Sequence, residues 1–243
     1  MKTLSPNSLC SPTFLRQPFN RIALGILGAA MAAGSCAAAV VFQDDFNYAV
    51  STSLNGQTPD VGAAWSGGSG WVANGSGAVA MVAEGDYTSW GVFTQSLSAG
   101  QTLTLAFTTG TAAGFLGNSW VGLALFAGNS DEFAFVGDPG GPNTDWRVAG
   151  QVNVASNDSN QANTATFTYA YDTGDWTFHL SASGFSASGP STAHKALDRV
   201  RLAGYYPEGV NMQLSDLQVS VVPEPAIPAL AVFGLLALAR RRR

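Results

Sequence analysis

From Val40 to Val222 the chain is a succession of short runs in which apolar residues alternate with polar or small ones, broken by Gly, Asn, Asp and Ser. Helical periodicity is almost absent, and period-two alternation between turn residues is the signature of strands. The runs predict strands over 40–46, 78–82, 92–97, 102–108, 120–126, 132–136, 146–148, 165–171, 176–182, 200–203 and 213–221. In Thr102 to Thr108 the residues Leu103, Leu105 and Phe107 fall on one side and the threonines on the other, so one face is buried and the other wet. Thr166 to Tyr171 and Trp176 to Leu180 follow the same rule, with Asp172-Thr173-Gly174-Asp175 between them as a hairpin loop whose glycine supplies the positive φ. Ten or eleven such strands fit two packed antiparallel sheets, because one flat sheet buries only one face and leaves long edges. The expected fold is all-β, a two-sheet antiparallel β-sandwich. Two polar, Gly-punctuated stretches read as loops: 55–77, which holds Trp65 and Trp71, and 137–164, a candidate binding rim broken by a short strand at Trp146.

The two ends break this pattern. Met1 to Arg21 carries Lys2, Arg16 and Arg21 and no acid, and Ile22 to Ala33 is 12 apolar or glycine residues without interruption. That is the charged and hydrophobic part of a secretory signal, and Ala37 and Ala39 then stand at the two small-residue positions of a cut before Val40. A helix of that length reaches about 18 Å against a hydrocarbon core of about 30 Å, too short for a comfortable permanent span. An uncleaved anchor is the alternative, and lipidation of Cys36 behind Ala33-Gly34-Ser35 is a rival processing route. The expected organisation is a signal peptide over 1–39, an ectodomain over 40–221 and a tail over 222–243.

Composition of the middle narrows the chemistry. Both cysteines, Cys10 and Cys36, precede the expected cut, so the mature domain has no disulfide, thiolate metal site or cysteine nucleophile. Over its 183 residues, four basic side chains (Arg147, Lys195, Arg199, Arg201) face fifteen acidic ones, a net of −11. Such a surface repels phosphate backbones, so no nucleic-acid partner is expected, whereas divalent cations and neutral polysaccharides are acceptable.

The tail reads Val222-Pro223-Glu224-Pro225, then the apolar stretch Ala226 to Ala239, then Arg240, Arg241, Arg242 and Arg243. This ordered triple resembles the PEP-CTERM sorting signal of Gram-negative bacteria. The prolines remove two backbone donors and keep the segment extended, so that it would not continue the last strand and would suit a peptidase groove. The arginines resist translocation and hold their end on the cytoplasmic side. The apolar stretch is 14 residues with Pro228 inside it, about 21 Å as a helix, so it spans only with help from flanking residues or a thinned bilayer. The resemblance implies the export machinery, signal peptidase and an exosortase-type transmembrane peptidase as partners. It also implies inner-membrane anchoring through a short C-terminal helix before processing, then release to the cell surface or matrix. A permanent tail anchor is the alternative.

A second resemblance covers the middle. Phe42-Gln43-Asp44-Asp45-Phe46, the Tyr171 to Leu180 hairpin and Leu214-Ser215-Asp216-Leu217-Gln218-Val219 are similar to concanavalin A-like, laminin-G-like jelly rolls. In those folds the first and last strands lie side by side. That would bring Asp44 or Asp45 toward Asp216 as oxygen ligands for calcium, the one cofactor in view. The same residues also read as solvated strand-edge carboxylates needing no ion.

Catalytic chemistry is sparse. Jelly-roll glucanases carry Glu-x-Asp-x-Glu, or a form one residue longer, on one strand; Glu84-Gly85-Asp86-Tyr87-Thr88-Ser89 lacks the second glutamate in either spacing. Asp131-Glu132 reads as a turn and strand start, and His179 and His194 have neither a cysteine nor a second histidine nearby. No catalytic residue is assigned. Of the six tryptophans, Trp120 and Trp176 read as core, while Trp65, Trp71 and Trp146 sit among Gly, Asn and Asp, where a ring serves either loop packing or as a platform for a sugar face. The resulting expectation is a non-catalytic surface or matrix protein that binds or structures extracellular polysaccharide; the alternative is a glycan-active hydrolase with a non-standard site.

Overall fold

The computed structural model describes residues 37–81, 85–110, 120–138, 145–148, 151–156, 163–206 and 213–224. The signal segment up to residue 36, the tail from Pro225 through Arg240 to Arg243, and Glu84 lie outside them. Among the described residues there are fifteen strands and no helix long and apolar enough to cross a membrane.

In chain order the strands are β1 (Ala39–Asp44), β2 (Ser66–Gly67), β3 (Trp71–Ala73), β4 (Ala78–Met81) and β5 (Gly85–Val92). Next come β6 (Gln101–Gly110), β7 (Trp120–Ala127), β8 (Asp131–Asp138), β9 (Asp145–Val148) and β10 (Gln151–Ser156). The last five are β11 (Asn163–Ala170), β12 (Asp175–Leu180), β13 (Ser186–Pro190), β14 (Arg199–Tyr206) and β15 (Gln213–Pro223). They form two antiparallel sheets. Sheet A runs β13-β12-β11-β6-β15-β4-β3, with β1 beside β15, and sheet B runs β10-β9-β8-β7-β14-β5-β2. This is the two-sheet antiparallel sandwich that the alternation implies.

Why the sheets stack is visible in single strands. In β12 the pattern Asp175-Trp176-Thr177-Phe178-His179-Leu180 alternates exposed and buried without exception. Its apolar residues meet sheet B across the interior. Trp146 of β9 packs between Phe107 of β6 and Phe178 of β12, with ring centroids 6.0 and 5.7 Å away, and Phe133 of β8 lies 4.3 Å from Tyr169 of β11. Removing such surfaces from water, at roughly 25 cal/mol per Å², is what holds the layers together without a disulfide. Close approach is also built in: a Cβ on Gly91 of β5 would lie 2.4 Å from the Phe42 ring of β1.

The Asp172–Asp175 hairpin forms as expected. Gly174 has φ +74°, and a Cβ there would sit 2.0 Å from the Ser191 carbonyl oxygen, so only glycine fits. The strand expected at 92–97 lies earlier, at 85–92, because Thr88, Trp90 and Val92 face outward while Ser89 and Gly91 face the core. The stretches read as loops contain β2 and β3 in one and β9 and β10 in the other. Of these, β9 is the short strand expected at Trp146, while β2, β3 and β10 are short and poor in aliphatic residues and give no period-two signal.

The first and last strands are neighbours, with Ala39 opposite Val221 and Asp44 opposite Leu217. The expectation that Pro223 stops the last strand is corrected. It pairs with Gln101 of β6 as the final residue of β15, and the Glu224 N–H donates to the Gly100 carbonyl at 2.6 Å. A proline at a strand's end forfeits one donor and leaves the next residue free to pair.

Candidate functional site

The three tryptophans offered as a ligand platform are inside the molecule. Trp65, Trp71 and Trp146 are at most 1% exposed, so none presents a ring to a sugar. Their Gly-rich flanks let the chain fold back over them, and a ring buries more apolar area inward than it gains as an exposed shelf. Trp176 is in the core, as its alternation implies; the side chain of Trp120 lies outside the described residues.

Trp65 also explains Asp44. The Trp65 indole N–H donates to Asp44 Oδ2 at 2.5 Å, the Tyr48 hydroxyl to the same oxygen at 2.7 Å, and the Phe46 N–H to Oδ1 at 2.7 Å. Asp44 is thus a buried acceptor that ties β1 to the loop ahead of β2, with both carboxylate oxygens already accepting hydrogen bonds. Burial pushes its carboxyl above the usual carboxylate range, outweighing the pull of the three donors. Burial and the neighbouring Asp44 raise the Tyr48 hydroxyl in turn.

Asp45 and Asp216 do come together. Both line an open cleft of about 560 Å³ at the β1–β15 corner, with Asn47, Asn74, Ser76, Gln213 and Ser215 around them. The cleft arises where β15 is bulged between Ser215 and Gln218 and Asp216 adopts φ +53°. One carboxylate was missed from the sequence: Asp60, from a turn remote in the chain, accepts the Asp45 N–H at 3.1 Å, and carboxylate oxygens of Asp44, Asp45 and Asp60 lie within 4.8 Å of one another. The bridge between Gln43 and Val61, with the Tyr48 hydroxyl donating to the Thr58 carbonyl at 3.0 Å, brings Asp60 there.

The outer face of sheet B holds a second cluster. Arg201 of β14 stands opposite Trp90 of β5 and Ala124 of β7. Its guanidinium carbon lies 4.8 Å from the Phe126 ring centroid and 5.6 Å from that of Trp90, and Nη2 donates to Glu132 Oε2 at 2.8 Å. Trp90 and Phe126 meet edge to face at 4.7 Å. Trp90, Arg201, Phe135 and Tyr205 are half-buried, while the neighbouring Gly122, Ala124 and Ala203 carry little or no side chain. Arg147 is exposed two strands away on the same face, opposite Gly137. Sequence reading left Trp90 unassigned because its strand was placed too late; with 85–92 as the strand, its outward position follows from alternation alone.

Among the described residues no acid–base pair assembles around the histidines. His179 Nδ1 contacts Ser186 Oγ at 3.0 Å on the outer face of sheet A, and His194 Nδ1 donates to the Tyr171 carbonyl at 2.6 Å in a loop. Asp131 starts β8, as expected, and is ion-paired with Lys195.

Neither a protein-family model nor a curated protein sequence matches this chain. Among solved structures, it is similar to the endo-1,3-β-glucanase from Streptomyces sioyaensis, with a TM-score of 0.52 and 14% identity over 76% of this chain and 96% of that one. The globular domain of T. cruzi calreticulin matches with a TM-score of 0.49 and 13% identity, over 84% of this chain and 100% of that one. A lectin from Bauhinia forficata, solved in complex with GalNAc, matches with 0.47 and 10%, over 78% and 99%. At 14% identity the likeness to the glucanase is one of fold, and that fold is the jelly-roll sandwich implied by the opening strand, the hairpin and the closing strand.

Proposed function

We propose that this protein is an exported, non-catalytic sandwich that binds extracellular polysaccharide through the outer face of sheet B, and that its tail is a PEP-CTERM sorting signal processed by an exosortase-type peptidase. The observation that carries the binding reading is the Arg201 guanidinium set over the Trp90 and Phe126 rings and paired with Glu132. Trp90, half-buried, offers apolar ring surface to the C–H face of a sugar, and a positioned guanidinium–carboxylate pair offers directional donors and acceptors to its hydroxyls. The acidic body favours a neutral chain over a phosphate- or sulfate-bearing one. Affinity electrophoresis of the purified chain in gels containing soluble polysaccharides tests this. Retardation by at least one polysaccharide, weakened in Trp90→Ala and Arg201→Lys, supports it; no retardation by any, or equal retardation of both variants, rejects it.

The oxygen-only donor set of the corner cleft suits a hard cation such as calcium, with Asp45 and Asp216 supplying the charge. Thermal unfolding that rises with added calcium, and no longer does so in Asp216→Asn, supports that assignment; an identical midpoint with calcium or chelator removes it. The export reading is tested by the mass of the protein recovered from its native host, which should begin at Val40 and lack the arginine cap. A product with both ends intact rejects it.

A further inference from the structure

The geometry points to a masked sorting motif: we propose that Pro223 and Glu224 are held as the last rung of sheet A, and that a peptidase can engage them only after this strand end has peeled from β6. The inference rests on the sorting reading above. Three contacts carry it. Pro223 is in register with Gln101, the Glu224 N–H donates to the Gly100 carbonyl at 2.6 Å, and the Thr102 hydroxyl approaches Glu224 Oε1 at 3.4 Å. The receiving turn is itself braced, since the Gly100 N–H donates to Asp172 Oδ2 at 3.0 Å and Gln101 Oε1 accepts from the N–H and hydroxyl of Ser98 at 2.9 Å each. It therefore exists only in the folded sheet, where β6 has met both β15 and the β11–β12 hairpin.

A peptidase that takes its substrate as an extended strand needs the same backbone groups that β6 already holds. Engagement and docking are mutually exclusive at Glu224. The site is also crowded, because the chain enters β1 at Ala39, directly opposite Val221, so both processed ends leave from one corner of the sandwich. The hold is modest by construction. Two hydrogen bonds of ordinary net strength suppress the free form by about tenfold, which slows processing of the folded protein without forbidding it.

The test inserts Gly-Ser-Gly-Ser between Val222 and Pro223 in the full chain, which moves the motif off the sheet while keeping its sequence. In detergent-solubilised protein, the Glu224 amide should be protected from hydrogen exchange in the wild type and unprotected in the insertion variant. A proline-specific endoprotease active on whole proteins should cut after Pro223 about tenfold faster in the variant. In the native host, pulse-chase should show the tail lost correspondingly sooner. An unprotected Glu224 amide in the wild type, or equal cleavage rates after Pro223, overturns the masking even if the tail is processed. A protected amide and faster endoprotease cleavage, with no tail processing of either chain in the host, overturns the sorting reading instead, and with it the role given to the docking.

Discussion

The two outer faces of the sandwich obey the same alternation and carry opposite chemistry. Across sheet A, Ser220, Thr104, Thr168, Thr177 and Ser188 stand in one row over five strands, and Gln218, Ala106, Thr166, His179 and Ser186 form the next. Neither row contains Lys, Arg, Asp or Glu, and the Thr168 and Thr177 hydroxyls are 2.6 Å apart. Across sheet B the corresponding positions hold Trp90, Arg201, Phe126 and Glu132. A wet strand face needs only residues that favour the extended backbone, and threonine supplies that at little cost. A tryptophan left half in water, as Trp90 is, brings no such advantage, and this asymmetry is what motivates the binding proposed for sheet B.

The strongest disturbance should come from between the faces. Trp146→Ala removes a ring packed against both Phe107 and Phe178 and should cost about 3–5 kcal/mol in denaturant unfolding. Binding per folded molecule should be unchanged. A stable variant that has lost binding would return Trp146 to the role of platform.

Asp44→Asn strikes the seam between β1 and the Trp65 loop. An amide nitrogen cannot accept from the donors that now meet the carboxylate, so one is stranded at about 1–3 kcal/mol at neutral pH, read as a lower unfolding midpoint in urea. Because the folded-state pKa of Asp44 is raised, the folded protein binds this proton more tightly than the unfolded chain does. Wild-type stability from this group is therefore greatest below the ordinary carboxylate range and falls as pH rises toward the raised value. The Asn variant lacks this dependence, so the gap between the two chains should change across that window; parallel pH profiles would refute the burial argument.

Trp90→Ala should weaken polysaccharide binding by about tenfold, the scale of losing one well-placed anchor, while leaving the unfolding midpoint within a few degrees. Thr168→Ala on the opposite face should cost no more than about 0.2–1 kcal/mol, through the lost cross-strand pair with Thr177, and leave binding unaltered. Binding that follows Thr168 and ignores Trp90 would exchange the roles of the two faces.

Much of this architecture can be read along the chain. Alternation located the long strands, the Gly174 hairpin and the wet threonine faces, because a strand's inward and outward sides follow from single-residue parity. The short strands β2, β3, β10 and β13 escaped, since they are held by neighbours and carry too few apolar residues to declare themselves. The candidate platform was misplaced for a related reason. Trp65, Trp71 and Trp146 have polar neighbours in sequence, and nothing in those neighbours tells that Asp44, Phe107 or Phe178 will enclose them in space.

Local pattern determined which residues could form strands, that two sheets were needed, that residues 40–222 carry no cysteine, and that the chain's two ends differ in composition from its middle. Tertiary structure decided which tryptophans are core and which meet solvent, that Asp45 rather than Asp44 shares a cleft with Asp216, and that Glu224 is paired to β6. Parity along a strand is set by backbone geometry within a few residues. Burial, partnership and docking depend on contacts between residues far apart in the chain, such as Ala39 and Val221 at the two ends of the sandwich, and only the closed sandwich brings these together.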